Sequence, residues 1–465
     1  MQPGTIRSGW IKYGLLAVLA AGGGTGGLYL SGGWPATSSP SGSATSGDAA
    51  PSIHRFPLSS RDAKDTVEAP SITSDAEGRI FLAWASKTGD AERTVFLTHS
   101  ADGGQSFDAP RAISKGGIYK TAANGKSGGH ERRGTPHVLA VGSQLHLAWS
   151  DALPGGLGQR MVLATSTDGG LTFTTPLPVH QEERIKAAFT AFRSGRNGSL
   201  VCSWLDDRSG AQQPFASVRL AGSTSFEPER VVHTGQASHG VCPCCPTACC
   251  FAPDGTLYVA FRNIQDGYRD MAISRLRPGH EKFEGPFPVV SNIWKFDGCP
   301  HDGPSLAVLG DEMHIVWMDA RTGSPRCYYG RAKLADMTFE TRELHPDTSG
   351  TQGNPKLLAD ASGGLHAVWE ASTGAEPPAA EGHAGHNHGV TKAGSGSGRA
   401  IHYSYRAPGQ TWFGPARSLA PKTGAFQTRP TLTSTPEGAL FAAWMELDET
   451  GKSVVVARLP GVRSE

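Results

Sequence analysis

One pattern constrains the fold more than any other. An apolar segment, a turn, and a second apolar segment ending in an aromatic residue recur along the chain, as in "APSITSDAEGRIFLAWAS", "TPHVLAVGSQLHLAWSD", "TACCFAPDGTLYVAFRN" and "GPSLAVLGDEMHIVWMD". The closing aromatics are Trp84, Trp149, Trp204, Phe261, Trp317, Trp369 and Trp444, spaced 52 to 57 residues apart except for two longer gaps of 65 and 75. Those gaps hold insertions, a Gly-rich one near residues 115–129 and a His-rich one at residues 373–398. Each unit has room for four short strands. Roughly 415 residues follow the N-terminal segments, beyond the ~250–300 that one compact core accommodates. A repeat solves that problem, because each unit buries its faces against its neighbours.

The fold class expected is therefore all-β, a β-propeller of four-stranded blades spanning residues 52–460, with seven blades and six as the alternative. The seventh unit stops after a third strand, "KSVVVARL", with no fourth. The orphan segment "IHRFPLSS" at residues 53–60 resembles that missing strand. Pairing it there would close the ring and remove exposed sheet edges.

Two turns tie the repeat to known proteins. "SADGGQSF" at residues 100–107 and "STDGGLTF" at residues 166–173 follow the pattern SxDxGxxF/W. By these turns the chain resembles the Asp-box, or bacterial neuraminidase repeat, propellers of the sialidase type. Degenerate versions stand at "LAGSTSF", "RPGHEKF", "LADMTF" and "RAPGQTW". The resemblance implies a fold more than a chemistry, since Asp102 and Asp168 would accept backbone hydrogen bonds while the glycines adopt positive φ. Sialidases of this fold hold a carboxylate with three arginines, use a Tyr/Glu pair as nucleophile and an Asp as acid/base. Here the first inner strand begins "EAPSI" without an arginine, "TRPTL" at Arg429 lies in the last repeat, and Tyr403 in "IHYSY" has no glutamate beside it. No catalytic role is carried over, and exo-α-sialidase-type hydrolysis of terminal sugars stands as the alternative function.

Compartment is read from the start of the chain. Arg7 and Lys12 precede the apolar run "YGLLAVLAAGGGTGGLYL", so residues 1–31 read as a signal peptide or a membrane anchor. Residues 32–51 form a Gly/Ser/Pro tether. The expectation is a periplasmic or extracellular protein that meets a membrane only through this N-terminal segment. Lysine and arginine total 43 against 42 acidic residues, a balance that gives no reason to expect a nucleic-acid partner.

In a propeller, loops before first strands and after second strands emerge on one face. "GVCPCCPT" and "DGCPHDGP" enter first strands of consecutive repeats, which places Cys242, Cys244, Cys245, Cys299, His301 and Asp302 together there. The thiols have three readings, one being buried small residues that happen to be cysteine. In an exported chain a disulfide leads, for example Cys242 or Cys245 to Cys299. The second reading is a soft or borderline metal site for copper or zinc. The run Cys242-Pro243-Cys244-Cys245 is read as lacking the CxxC spacing of common zinc ribbons. His383, His386 and His388 in "EGHAGHNHG" read either as loose metal ligands on the same face or as a solvated low-complexity insertion.

Arg133, Arg208, Arg262, Arg321 and Arg429 fall at the mouths of such loops and could hold a carboxylate or sulfate. The competing reading pairs Arg208 and Arg321 with Asp207 and Asp319. Together these features describe a binding module whose loop face takes a carbohydrate, an anionic small molecule, a protein partner or a soft metal ion.

Overall fold

The second segment of each repeat is a strand buried on both faces, which is why it reads as a nearly unbroken apolar run rather than an alternation. Leu200–Asp206, Leu257–Arg262 and Leu365–Ser372 are buried at every residue. The computed structural model describes residues 52–58, 65–88, 92–118, 134–153, 158–182, 185, 187–236, 240–346, 350–372 and 398–460. These belong to one compact unit covering residues 48–465. The expected signal or anchor at 1–31, the tether at 32–51, Arg133, and the histidines at 383, 386 and 388 lie outside the described residues.

Antiparallel four-stranded meanders dominate. His137–Val141, Gln144–Ala152, Gln159–Ser166 and Leu177–Pro178 form one sheet, and Ala188–Ser194, Leu200–Asp206, Gln213–Arg219 and Arg230–Val231 form the next. Ala248–Phe251, Leu257–Arg262, Met271–Leu276 and Glu284–Pro288 follow, then Ser305–Leu309, Glu312–Asp319, Arg326–Lys333 and Glu340–Glu343. The first meander, Ser71–Ser74, Ile80–Thr88, Glu92–Ser100 and Arg111–Gly116, carries the extra short strand Thr66–Val67 beside its second strand. The last two begin at Gln352–Ala359 and Phe426–Ser434, and a single parallel pairing of Arg399 with Phe426 links them.

The first strands pack beside one another in chain order, and Phe426–Ser434 lies beside Ser71–Ser74. Ile53–Pro57 pairs antiparallel with Gly451–Arg458, Ile53 opposite Ala457 and Pro57 opposite Ser453.

The core is distributed between sheets. Trp204 and Phe192 pack with Ala148, Met161 and Leu163 of the preceding sheet, while Trp317 and Ile315 pack with Tyr258, Ala260 and Ile273. Each closing aromatic is buried, so truncating one to alanine would cost about 3–5 kcal/mol. The turns at Asp102 and Asp168 share one hydrogen-bond pattern. Asp102 Oδ1 accepts from Ser100 Oγ and the amides of Gln105 and Ser106, and Asp168 Oδ1 accepts from Ser166 Oγ and the Thr172 amide. Hydrogen bonds from Ser106 and Thr172 hold the two carboxyls far below the usual carboxylate range.

Three first strands break register near their start, between Ala188 and Ala191, Gly353 and Lys356, and Thr428 and Thr431. Phe189, Asn354 and Arg429 sit in these breaks at φ of +55°, +49° and +56°. Bulges of this kind re-aim side chains and amides at the rim of a sheet.

Candidate metal centre

Backbone constraints bring the cysteine loops together. The Cys242 amide donates to the Arg262 carbonyl at 3.0 Å, tying the loop before one first strand to the end of its own second strand. The Thr247 amide donates to the Phe189 carbonyl of the preceding sheet at 3.1 Å, which fixes the other end of the run. Gly303 lets the neighbouring loop approach: a Cβ there would stand 2.3 Å from the Pro246 carbonyl oxygen, so no other residue fits. His301, two residues earlier, holds φ at +56°, a conformation uncommon outside glycine.

The sulfurs converge as a result. Cys242 Sγ lies 3.2 Å from Cys245 Sγ and 3.7 Å from Cys244 Sγ. Cys242, Cys244 and Cys245 form one group of donors within 4.8 Å of one another, and Cys244, Cys299 and His301 form a second. The first three cysteines are buried against Ile264 and Phe189, whereas Cys299 and His301 are half-buried. Cys242 and Cys245 in fact stand at CxxC spacing, a pair hidden in the sequence by the intervening Cys244.

Two guanidiniums attend the thiols. Arg269 Nη1 lies 3.3 Å from Cys242 Sγ, and its Nε donates to the Phe296 carbonyl at 2.8 Å. Arg262 is 1% exposed and donates to the carbonyls of Arg269, Asp302 and Met318 at 3.0, 3.2 and 2.7 Å, with Trp294 against its face. Burial raises the Cys242 thiol, but hydrogen bonds from Cys244 and Cys245 and the charges of Arg262 and Arg269 bring it well below the ordinary thiol range. Hydrogen bonds to its three sulfur neighbours push Cys244 up, and burial pushes Cys245 up. Cys299 is lowered by its hydrogen bond from Cys244.

The leading disulfide expectation is corrected here. All eight cysteines are free, and the sulfur separations of 3.2 and 3.7 Å exceed the ~2.05 Å of a disulfide. Thiolates bound tetrahedrally at ~2.3 Å would stand about 3.8 Å apart, close to what is seen. Cys202, Cys249 and Cys327 are buried in three different intersheet clusters, and Cys250 packs against a fourth.

The expected arginines have separate fates. Arg208 pairs with Asp206 at 2.7 Å and Glu229 at 2.6 Å, so its partner is Asp206 and not the adjacent Asp207. Arg321 pairs with Asp319 and lies over the Tyr328 ring. Arg262 is committed to carbonyls, which leaves it unsuited to clamp an incoming anion. Arg429 donates its amide to Glu370 Oε2 at 2.8 Å, and Arg399 Nη1 donates to Glu370 Oε1 at 2.8 Å. Tyr403 Oη is held by His366 Nδ1 at 2.9 Å. Asp302 is buried, accepts from the Asn354 amide through Oδ2 at 2.5 Å, and has its carboxyl pushed up to about 6 by burial. Sequence reasoning passed over Arg269 and Glu370. Arg269 stands in "RNIQDGYRD", the segment that leaves the second strand Leu257–Arg262, and its charge next to clustered thiols was the available signal.

No family model matches this chain, and no curated protein matches it in sequence. Among solved structures, a polysaccharide lyase, the PL25 ulvan lyase bound to -[GlcA(1-4)Rha3S]-, superimposes with a TM-score of 0.51 at 9% identity, over 86% of this chain and 94% of that one. A protein of unknown function from Dyadobacter fermentans aligns at a TM-score of 0.45 and 15% identity, over 88% and 99% of the two chains. The Trypanosoma rangeli sialidase aligns at 0.43 and 8%, over 88% and 60%. The chain is thus an all-β protein of four-stranded sheets, and it shares its fold with the ulvan lyase. At these identities the likeness speaks to the fold alone.

Proposed function

We propose that the chain is an exported, seven-bladed Asp-box propeller, closed by Ile53–Pro57, whose loop face is a binding module for a soft metal ion. Cys242, Cys244 and Cys245 are its principal ligands, with Cys299 and His301 beside them. The observation that carries this reading is the convergence of three buried sulfurs within 4.8 Å, at separations too long for disulfides and near those of metal-bound thiolates. Thiolates suit copper(I) or zinc, and an oxidising compartment would convert such crowded thiols to disulfides unless an ion occupied them.

Elemental analysis and a free-thiol count on purified full-length protein test this directly. The expected result is bound copper or zinc that disappears in Cys244→Ser. Metal-free protein with eight titratable thiols, or with Cys242 in a disulfide by mass spectrometry, would refute it.

Sugar hydrolysis is not part of the proposal, because Arg208, Arg262 and Arg321 are engaged by the protein itself and Tyr403 is held by His366. A fluorogenic sialoside should show no turnover above background. Turnover abolished by Arg429→Ala would restore the exo-glycosidase alternative.

A further inference from the structure

The five donors gather in two triads that share one atom. Cys244 Sγ belongs both to the group with Cys242 and Cys245 and to the group with Cys299 and His301. A single tetrahedral ion would leave one donor unused. Three-coordinate ions use all five, with the shared sulfur as a bridge.

Resting on the metal-binding reading above, we infer that the centre holds a pair of soft monovalent ions of the copper(I) class, bridged by the thiolate of Cys244. Thiolate softness selects such ions. Charge supports the same count. Four thiolates from Cys242, Cys244, Cys245 and Cys299 carry four negative charges, which two monovalent ions and the guanidiniums of Arg262 and Arg269 neutralise. Two divalent ions would leave two uncompensated positive charges in a largely buried site, a costly arrangement.

The two positions differ in access. The Cys242, Cys244 and Cys245 sulfurs lie in residues no more than 6% exposed, while Cys299 and His301 are half-buried at the loop face. Cys244 therefore connects an outer ion, which exchanges with solution, to an inner ion, which the protein retains. Arg269 stands at the inner triad, on Cys242.

Anaerobic titration of the full-length protein with copper(I), against a competing copper(I) chelator, tests the pairing. The same titration in the His383→Ala/His386→Ala/His388→Ala chain removes any contribution from those imidazoles. Two chelator-resistant equivalents are expected in both, one released at lower chelator concentration than the other, with copper-to-copper scattering in the X-ray absorption spectrum. His301→Ala and Cys299→Ser should each keep one tight equivalent, and Cys245→Ser should keep only the weaker one. Saturation of the wild type at one ion would overturn the pair while leaving the metal reading intact. Binding of none would overturn both.

Discussion

Arg262 and Arg269 stand near the same sulfurs and do different work. Arg269 is half-buried and touches Cys242 directly, so Arg269→Ala should remove one of the charges that, after the hydrogen bonds from Cys244 and Cys245, hold the metal-free thiol low. Alkylation of Cys242 in apo-protein at pH 7 is expected to slow several-fold, with little change in unfolding free energy. An unchanged rate would assign the lowered thiol to its sulfur neighbours instead. Arg262 is structural: Arg262→Met would leave the Arg269, Asp302 and Met318 carbonyls without their donor. Urea unfolding should record a loss of about 2 kcal/mol or more. The contrast also marks what sequence could say. Five cysteines in nine residues announced a site, and loop order brought in Cys299 and His301. Which arginine would be swallowed by carbonyls and which would reach a sulfur depends on backbone placement across three repeats. Arg208 was nearer to legible, since its return to Asp206 spans only two residues.

At the scale of the element, strands were legible and their irregularities were not. Apolar runs ending in an aromatic disclosed every second strand, but the register breaks at Phe189, Asn354 and Arg429 leave no mark in the local apolar pattern. The short strand Thr66–Val67 was likewise invisible, with too few residues for a period. One recurring feature of the second strands has a pH consequence. His146, His314 and His366 each stand three residues before the closing tryptophan, and each places Nδ1 within 2.9 Å of a hydroxyl on the third strand, that of Thr165, Tyr329 or Tyr403. Burial lowers His146 to about 4 and His314 to about 3, with nearby arginines adding to both, and burial lowers His366 as well. Their folded-state values lie below the ordinary 6.5, so the neutral form is the one the fold accepts. For His146 and His314 stability is therefore complete above about pH 6.5 and is lost as pH falls toward 4 and 3 respectively, by an amount on the order of a few kcal/mol each, and His366 acts in the same direction. Denaturant unfolding at pH 7.5 and pH 5 should show this loss. His314→Gln, which keeps a hydrogen-bonding side chain but cannot titrate, should flatten the slope, and an unaltered slope would remove His314 from the account.

For the molecule as a whole, the decisive contact is between its most distant described segments. Ile53–Pro57 supplies a partner to Gly451–Arg458, whose outer edge would otherwise present unpaired backbone groups. Its side chains do more than complete that sheet. Arg55 Nε reaches the buried Glu446 at 2.9 Å, Phe56 stacks on Trp84 at 5.4 Å and meets Phe107 edge-on, and Ser52 Oγ and His54 Nε2 both reach the Gly104 carbonyl at 3.0 Å. The segment is thus paired to the last sheet and packed on the first. The proposed closure has a direct consequence for truncation. Removing residues 1–50 should leave a cooperatively folded protein, whereas removing residues 1–60 should expose the edge, lower the melting temperature by many degrees and promote association visible in size-exclusion chromatography. Phe56→Ala in the longer form isolates the packing contribution, and a loss of about 1–3 kcal/mol is expected for a half-buried aromatic. Identical melting and elution of the two truncations would mean that the ring holds without this strand.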